Sequence, residues 1–227
     1  MSQKVQKGEE EYYEWFDKAM GIENTALYNG IGYVEKYKVI NNYHKFYKTT
    51  DFLKGSIVYD GHHYFGLEMK YDLDEDLVLL NLKKGLRIVL LQLIKSKVDS
   101  FIIDGHKFIN IRDSLPNNPG ISGFYEVLLE NQHLKLFEKH KKKRFQKAGN
   151  NSVYYEFKSR NVMFLFYNQQ YYPLRNRKDL VKVFPEYKKE IEGLSKKKFP
   201  KSNTRDYLIT LSNRISGLLA EDRKLVQ

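Results

Sequence analysis

Residues 55–111 read GSIVYDGHHYFGLEMKYDLDEDLVLLNLKKGLRIVLLQLIKSKVDSFIIDGHKFINI. Apolar and polar residues alternate here in short segments of regular spacing. A period of two places every second side chain on one face of a pleated strand. The strand candidates are Ser56–Asp60, Tyr64–Tyr71, Leu77–Leu82, Arg87–Leu93, Val98–Ile103 and Lys107–Ile111. Asp60-Gly61, the acidic run 72–76, Lys83-Lys84-Gly85 and Asp104-Gly105 separate them. Asp-Gly between alternating apolar residues is a strong hairpin signal, because both residues accept the positive φ of a type I′ turn. Strands joined this closely pair antiparallel, since a parallel crossover needs a dozen or more residues.

The same pattern resumes after the loop SLPNNPGISG at 114–123. Phe124–Leu129, His133–Phe137, Val153–Phe157, Val162–Tyr167 and Tyr171–Leu174 are strand candidates, with polar turns at Asn131-Gln132 and Asn168-Gln169. Residues 21–54 are rich in Tyr, Asn and Gly and read as short strands and turns. Helical spacing flanks the strands. At 9–20, EEEYYEWFDKAM puts Tyr12, Trp15, Phe16 and Ala19 on one face behind an acidic first turn. Asp179–Phe184 and Glu186–Leu194 read as short helices broken at Pro185. Residues 204–220 form the most regular helix, capped by Asn203 and striped by Tyr207, Leu208, Leu211, Ile215, Leu218 and Leu219. The fold class is therefore mainly β (α+β). About ten strands form an antiparallel meander, as a curved sheet or open barrel, with one N-terminal helix and two to three C-terminal ones. A single β-rich domain spans 1–227, with a sub-boundary at 114–123 as the alternative. The helical segment 178–220 packs on the sheet.

With 227 residues and 41% hydrophobic composition, the chain is large enough for a substantial core and is not a disordered one. Its longest apolar run, Val162–Tyr167, is far below the ~20 residues of a membrane-spanning helix. The absence of Cys excludes disulfides, thiolate metal sites and cysteine catalysis. The net charge of +11 is uneven: residues 1–120 carry 16 Lys/Arg against 17 Asp/Glu, residues 121–227 carry 23 against 11. Such asymmetry points to an anionic contact or to a solvated basic surface. The cations are mostly Lys, which lack the planar fork that Arg uses for base and phosphate recognition.

The densest basic cluster is Lys139, His140, Lys141, Lys142, Lys143 and Arg144. Lys139, Lys141, Lys142, Lys143 and Arg144 are the candidate anion-binding residues. They lie in a stretch, 138–151, that reads as a solvated loop. Lys147, Lys158, Arg160, Arg175, Arg177 and Lys196-Lys197-Lys198 extend the basic half. Tyr154, Tyr155, Tyr167, Tyr171 and Tyr172 are interleaved, a mixture that single-strand binders and ordinary Tyr-rich strands share.

Other patterns weaken on inspection. The acidic run 72–76 has Leu77 and Lys83 where a calcium loop needs Gly and Glu, so it reads as an acidic turn. Gly30-x-Gly32 lacks the third glycine of a dinucleotide fingerprint, Glu35 standing there. Asp-Gly-His recurs at Asp60-Gly61-His62 and Asp104-Gly105-His106, which reads as two hairpin turns rather than as metal ligands from His62, His63 and His106. No nucleophile elbow, phosphate loop or zinc-protease motif occurs. No catalytic residue, metal or cofactor is expected.

The strings Gly55–Gly61, Met69–Asp74, Leu77–Leu79, Val98–Phe101 and Gly105–Phe108 resemble a family of exported, β-rich envelope proteins of Bacteroidota. The later segments Phe124–Leu128, Lys135–Arg144, Tyr172–Leu174, Asp179-Leu180 and Phe184-Pro185 extend the resemblance over roughly 28–220. The resemblance implies a β-rich domain with C-terminal helices, located in the periplasm or at the outer membrane, whose signal peptide is not in this chain. It implies a non-enzymatic binding or scaffolding protein whose partner is a protein, a glycan or an anionic membrane surface. It carries over no activity and no catalytic residue. The alternative is a cytoplasmic nucleic-acid-binding protein using the basic C-terminal half.

Overall fold

The computed structural model describes residues 25–40, 42–84, 87–112, 120–149, 152–193 and 204–225. The helix expected at 9–20, the Asn203 cap, Lys196–Lys198 and most of the 114–123 loop lie outside the described residues. The protein is mainly β, with thirteen strands and three α-helices among the described residues. It consists of two compact units. The first holds residues 1–111, 122–124 and 140–160; the second holds 112–121, 125–139 and 161–227.

The first unit contains β1 (Ile31–Gly32), β2 (Leu53–Tyr59), β3 (His62–Asp72), β4 (Leu77–Lys84), β5 (Arg87–Gln92), β6 (Val98–Ile103) and β7 (His106–Ile111). They pair in the order β1-β5-β4-β3-β2-β6-β7, antiparallel throughout. The two Asp-Gly turns form as the sequence predicts: φ is 53° and 79° at Asp60-Gly61, 50° and 76° at Asp104-Gly105. Period-two alternation brings Tyr71, Phe101, Phe108 and Phe124 together. Phe101 and Phe108 are register partners whose rings stack at 4.8 Å, and Tyr71 meets both edge-on at 5.3 Å. The acidic run 72–76 is a turn tied to this core. Asp76 accepts from the Tyr71 hydroxyl (2.6 Å) and from Lys95 (2.5 Å), while Asp72 Oδ1 accepts the backbone N–H of Asp74 and Glu75.

Two glycines are needed where β2 pairs with β3 and β6. Phe65 and Gly66 of β3 together face Ser56, and Gly66 takes φ 63°, a bulge in the ladder. Gly55 passes so close to β6 that a Cβ there would lie 2.0 Å from the Ile102 carbonyl oxygen. Backbone cannot yield that far. Gly55→Ala should therefore cost about 1–3 kcal/mol, as overpacking does, read as a lower urea midpoint. An unchanged midpoint would show that the β2–β6 ladder adjusts freely.

The unit also contains a separate hairpin, β10 (Lys142–Ala148) with β11 (Val153–Ser159). The sequence reads as a solvated loop over 138–151, whereas Lys142–Ala148 is a strand paired with Val153–Ser159. A block of like charges repels where the charges are held together away from water; here five of the seven β10 residues are exposed, and Lys142, the cation drawn inward, donates to two backbone carbonyls. Residues 33–40 and 42–46, irregular and Tyr-rich, are held by Lys45. Its side chain is 2% exposed, and its ammonium lies 2.8 Å from Asp72 and 3.2 Å from Glu35, with the Tyr33, Tyr37 and Phe46 rings 5.2–5.6 Å away. Burial alone would pull its pKa down; the bonds to Asp72 and Tyr33 outweigh this and raise it.

The second unit holds most of β8 (Gly123–Glu130), then β9 (Lys135–Lys139), β12 (Val162–Tyr167) and β13 (Gln170–Leu174), paired β8-β9-β12-β13. Its helices are α1 (Arg177–Val183), α2 (Lys188–Gly193) and α3 (Thr204–Leu225). Leu136, Met163, Leu165 and Leu174 from the strands pack with Leu180, Phe184, Ile191, Tyr207, Leu208, Leu211 and Ile215 from the helical segment. Asn176 and Asp179 form a capping box at the start of α1. Glu126 and Glu138, buried register partners on β8 and β9, are bridged by Arg205 of α3 at 3.0 and 2.6 Å. The described strands close no barrel.

Candidate anion-binding hairpin

Register separates the two faces of the hairpin. Lys142, Arg144 and Gln146 stand opposite Ser159, Phe157 and Tyr155. This face turns toward segment 37–46. Tyr155 N–H donates to the Lys38 carbonyl and Phe157 N–H to that of Tyr43. The Tyr37 ring lies 5.0 Å from Tyr155, 6.0 Å from Phe157 and 4.1 Å from the Arg144 guanidinium.

Lys143, Phe145 and Lys147 occupy the other face, opposite Lys158, Glu156 and Tyr154. The three lysines are exposed; Phe145, Glu156 and Tyr154 are half-buried. Lys143 and Lys158 stand directly opposite one another, and their ammonium groups lie 5.7 and 5.6 Å from the centre of the Phe145 ring. Glu156, 3.6 Å from Lys158, is the one carboxylate on this face among the described residues. Three ammonium groups against one carboxylate leave a net positive face with two aromatic rings.

The structure places the five lysines and arginines singled out in the sequence at different positions and not on one face. Lys139 ends β9 in the second unit, with its ammonium 5.0 Å from the Tyr125 ring. Lys141 is exposed just before β10. Lys142 points inward and donates to the His44 and Phe46 carbonyls at 2.7 and 3.0 Å. Burial pulls its pKa down to about 8, against the opposing influence of Asp72. Arg144 lies on Tyr37 and reaches Asp74 at 3.7 Å. Of the five, Lys143 has its place on the outer face of the hairpin set by the register.

Lys147, Lys158 and Tyr154 join it, as does Phe145, which is not among the residues the sequence singles out. Its signal is in the sequence: Lys143-x-Phe145-x-Lys147 has period two inside a run whose charge reads as loop. His62 and His63 begin β3, and His106 begins β7 with Nε2 2.8 Å from the Lys48 ammonium. No helix among the described residues is long and apolar enough to cross a membrane. Compared with protein-family models, with curated proteins and with solved structures, the chain matches none.

Proposed function

We propose that this chain is a non-enzymatic binding protein that holds a polyanionic partner on the outer face of the β10–β11 hairpin. The observation that carries the reading is the Lys143–Lys158 pair. Like charges directly opposite in a ladder destabilise it, and a cation over a ring at an exposed site returns only about 0.5–1 kcal/mol. A face built this way gains most when an external anion fills it. The envelope location implied by the resemblance gives such a partner as phosphate-bearing lipid or acidic glycan; the cytoplasmic alternative gives it as nucleic acid. Fractionation of the native protein separates these two locations.

The test uses inorganic polyphosphate and the full chain in calorimetric titrations over a range of salt. Affinity should fall linearly with log salt. Lys143→Gln/Lys158→Gln should bind at least about tenfold more weakly at low salt, with a shallower salt slope, because fewer counterions are released. Far-UV circular dichroism should be unchanged, because both side chains are exposed. Wild-type affinity and slope in the double variant would overturn the reading.

A further inference from the structure

We infer that the polyanion is a single-stranded nucleic acid, whose bases stack on Phe145 and Tyr154 while its phosphates meet Lys143, Lys147 and Lys158. The inference rests on the anion-binding reading of the same hairpin and adds the planar component of the ligand. It favours the nucleic-acid alternative over the envelope partners that the resemblance implies.

Charge alone does not require rings. The outer face has two, and their placement is specific. Phe145 and Tyr154 are diagonal neighbours on the same face, since Phe145 pairs with Glu156 and Lys147 with Tyr154. Diagonal neighbours across an antiparallel pair lie about 7–8 Å apart, within reach of aromatic side chains. Each ring has a cation beside it. Lys143 and Lys158 flank Phe145, and Lys147 is the register partner of Tyr154. Alternating rings and ammonium groups are complementary to alternating bases and phosphates, and every base offers a π-face, so such a site tolerates sequence. The weak cation–π contacts over Phe145 are readily exchanged for phosphate contacts as a base takes the ring.

A bilayer is the poorer fit. Surface-binding elements insert Trp, Phe or Leu below the headgroups, and the hairpin's connection, Gly149-Asn150-Asn151-Ser152, contains no apolar residue. Duplex DNA is also disfavoured. Its bases are paired and stacked inside the helix and offer no open π-face to Phe145 and Tyr154.

The experiment is fluorescence anisotropy of a labelled oligothymidylate with the full chain. Polyphosphate of matched charge, an acidic polysaccharide and phosphatidylglycerol vesicles serve as comparison probes. The expected result is tightest binding to the oligonucleotide. Phe145→Leu should weaken that binding about five- to 150-fold, the range of one lost base–aromatic stack, and leave polyphosphate binding unchanged. Phe145→Tyr keeps a ring and should retain oligonucleotide affinity, which separates stacking from any effect on folding. Equal affinity for the comparison probes, with Phe145→Leu behaving as wild type, overturns the nucleic-acid assignment and leaves the anion reading intact. Absence of binding to every probe overturns both.

Discussion

Lys45→Met is expected to lower the stability of the first unit by about 3–5 kcal/mol, the usual cost of removing one partner from a buried ion pair. The side chains of Lys45 and Asp72 are 2% and 0% exposed, so water cannot replace the missing ammonium. The pair itself need not be strongly favourable. Its Coulomb attraction is largely offset by the desolvation of two charges; the expense arises when Asp72 is left behind as a buried carboxylate. That distinction makes the prediction testable in two steps. Lys45→Met alone should shift the urea midpoint strongly downward. Lys45→Met with Asp72→Asn should recover a large part of the loss, because an amide Oδ1 still accepts the N–H groups of Asp74 and Glu75 that the carboxylate accepts now. If the double variant is no more stable than the single, the loss comes from the packing of the Lys45 stem among Tyr33, Tyr37 and Phe46 rather than from charge.

The second large effect is expected in the other unit. Arg205→Met removes the cation between Glu126 and Glu138, whose side chains are 5% and 6% exposed. Directly opposed carboxylates on neighbouring strands then repel without a charge between them. Arg205 is 38% exposed, so solvent screens part of the interaction. A loss of about 2–3 kcal/mol is expected, below that of a fully buried pair. Hydrogen exchange resolves where it falls: protection should drop in β8, β9 and α3 and hold in β2–β7. Glu126→Gln/Glu138→Gln in the Arg205→Met background should restore most of it. Arg205→Lys should restore little, because a single ammonium does not reproduce a fork that reaches one carboxylate through Nε and the other through Nη2. A loss spread evenly over both units would refute the local account.

The sequence by itself determined the antiparallel architecture. Period-two alternation between Ser56 and Ile111 fixes which side chains share a face, and Asp-Gly at 60–61 and 104–105 fixes where the chain reverses; both signals are local. It also determined the C-terminal stripe of Tyr207, Leu208, Leu211 and Ile215, all four buried in the second core. Tertiary structure decided the fate of the charges. In the sequence Lys142, Lys143 and Arg144 are three adjacent equivalent cations. In the fold Lys142 bonds two carbonyls, Lys143 faces out beside Phe145, and Arg144 lies on Tyr37. Adjacent residues of a strand point to opposite faces, and which face is covered depends on segment 37–46, a hundred residues earlier in the chain. The Lys45–Asp72 and Arg205–Glu126–Glu138 clusters were illegible for the same reason. Each joins residues distant in sequence, and an ion pair has no period to announce it; only the packing that excludes water around it makes the charge decisive.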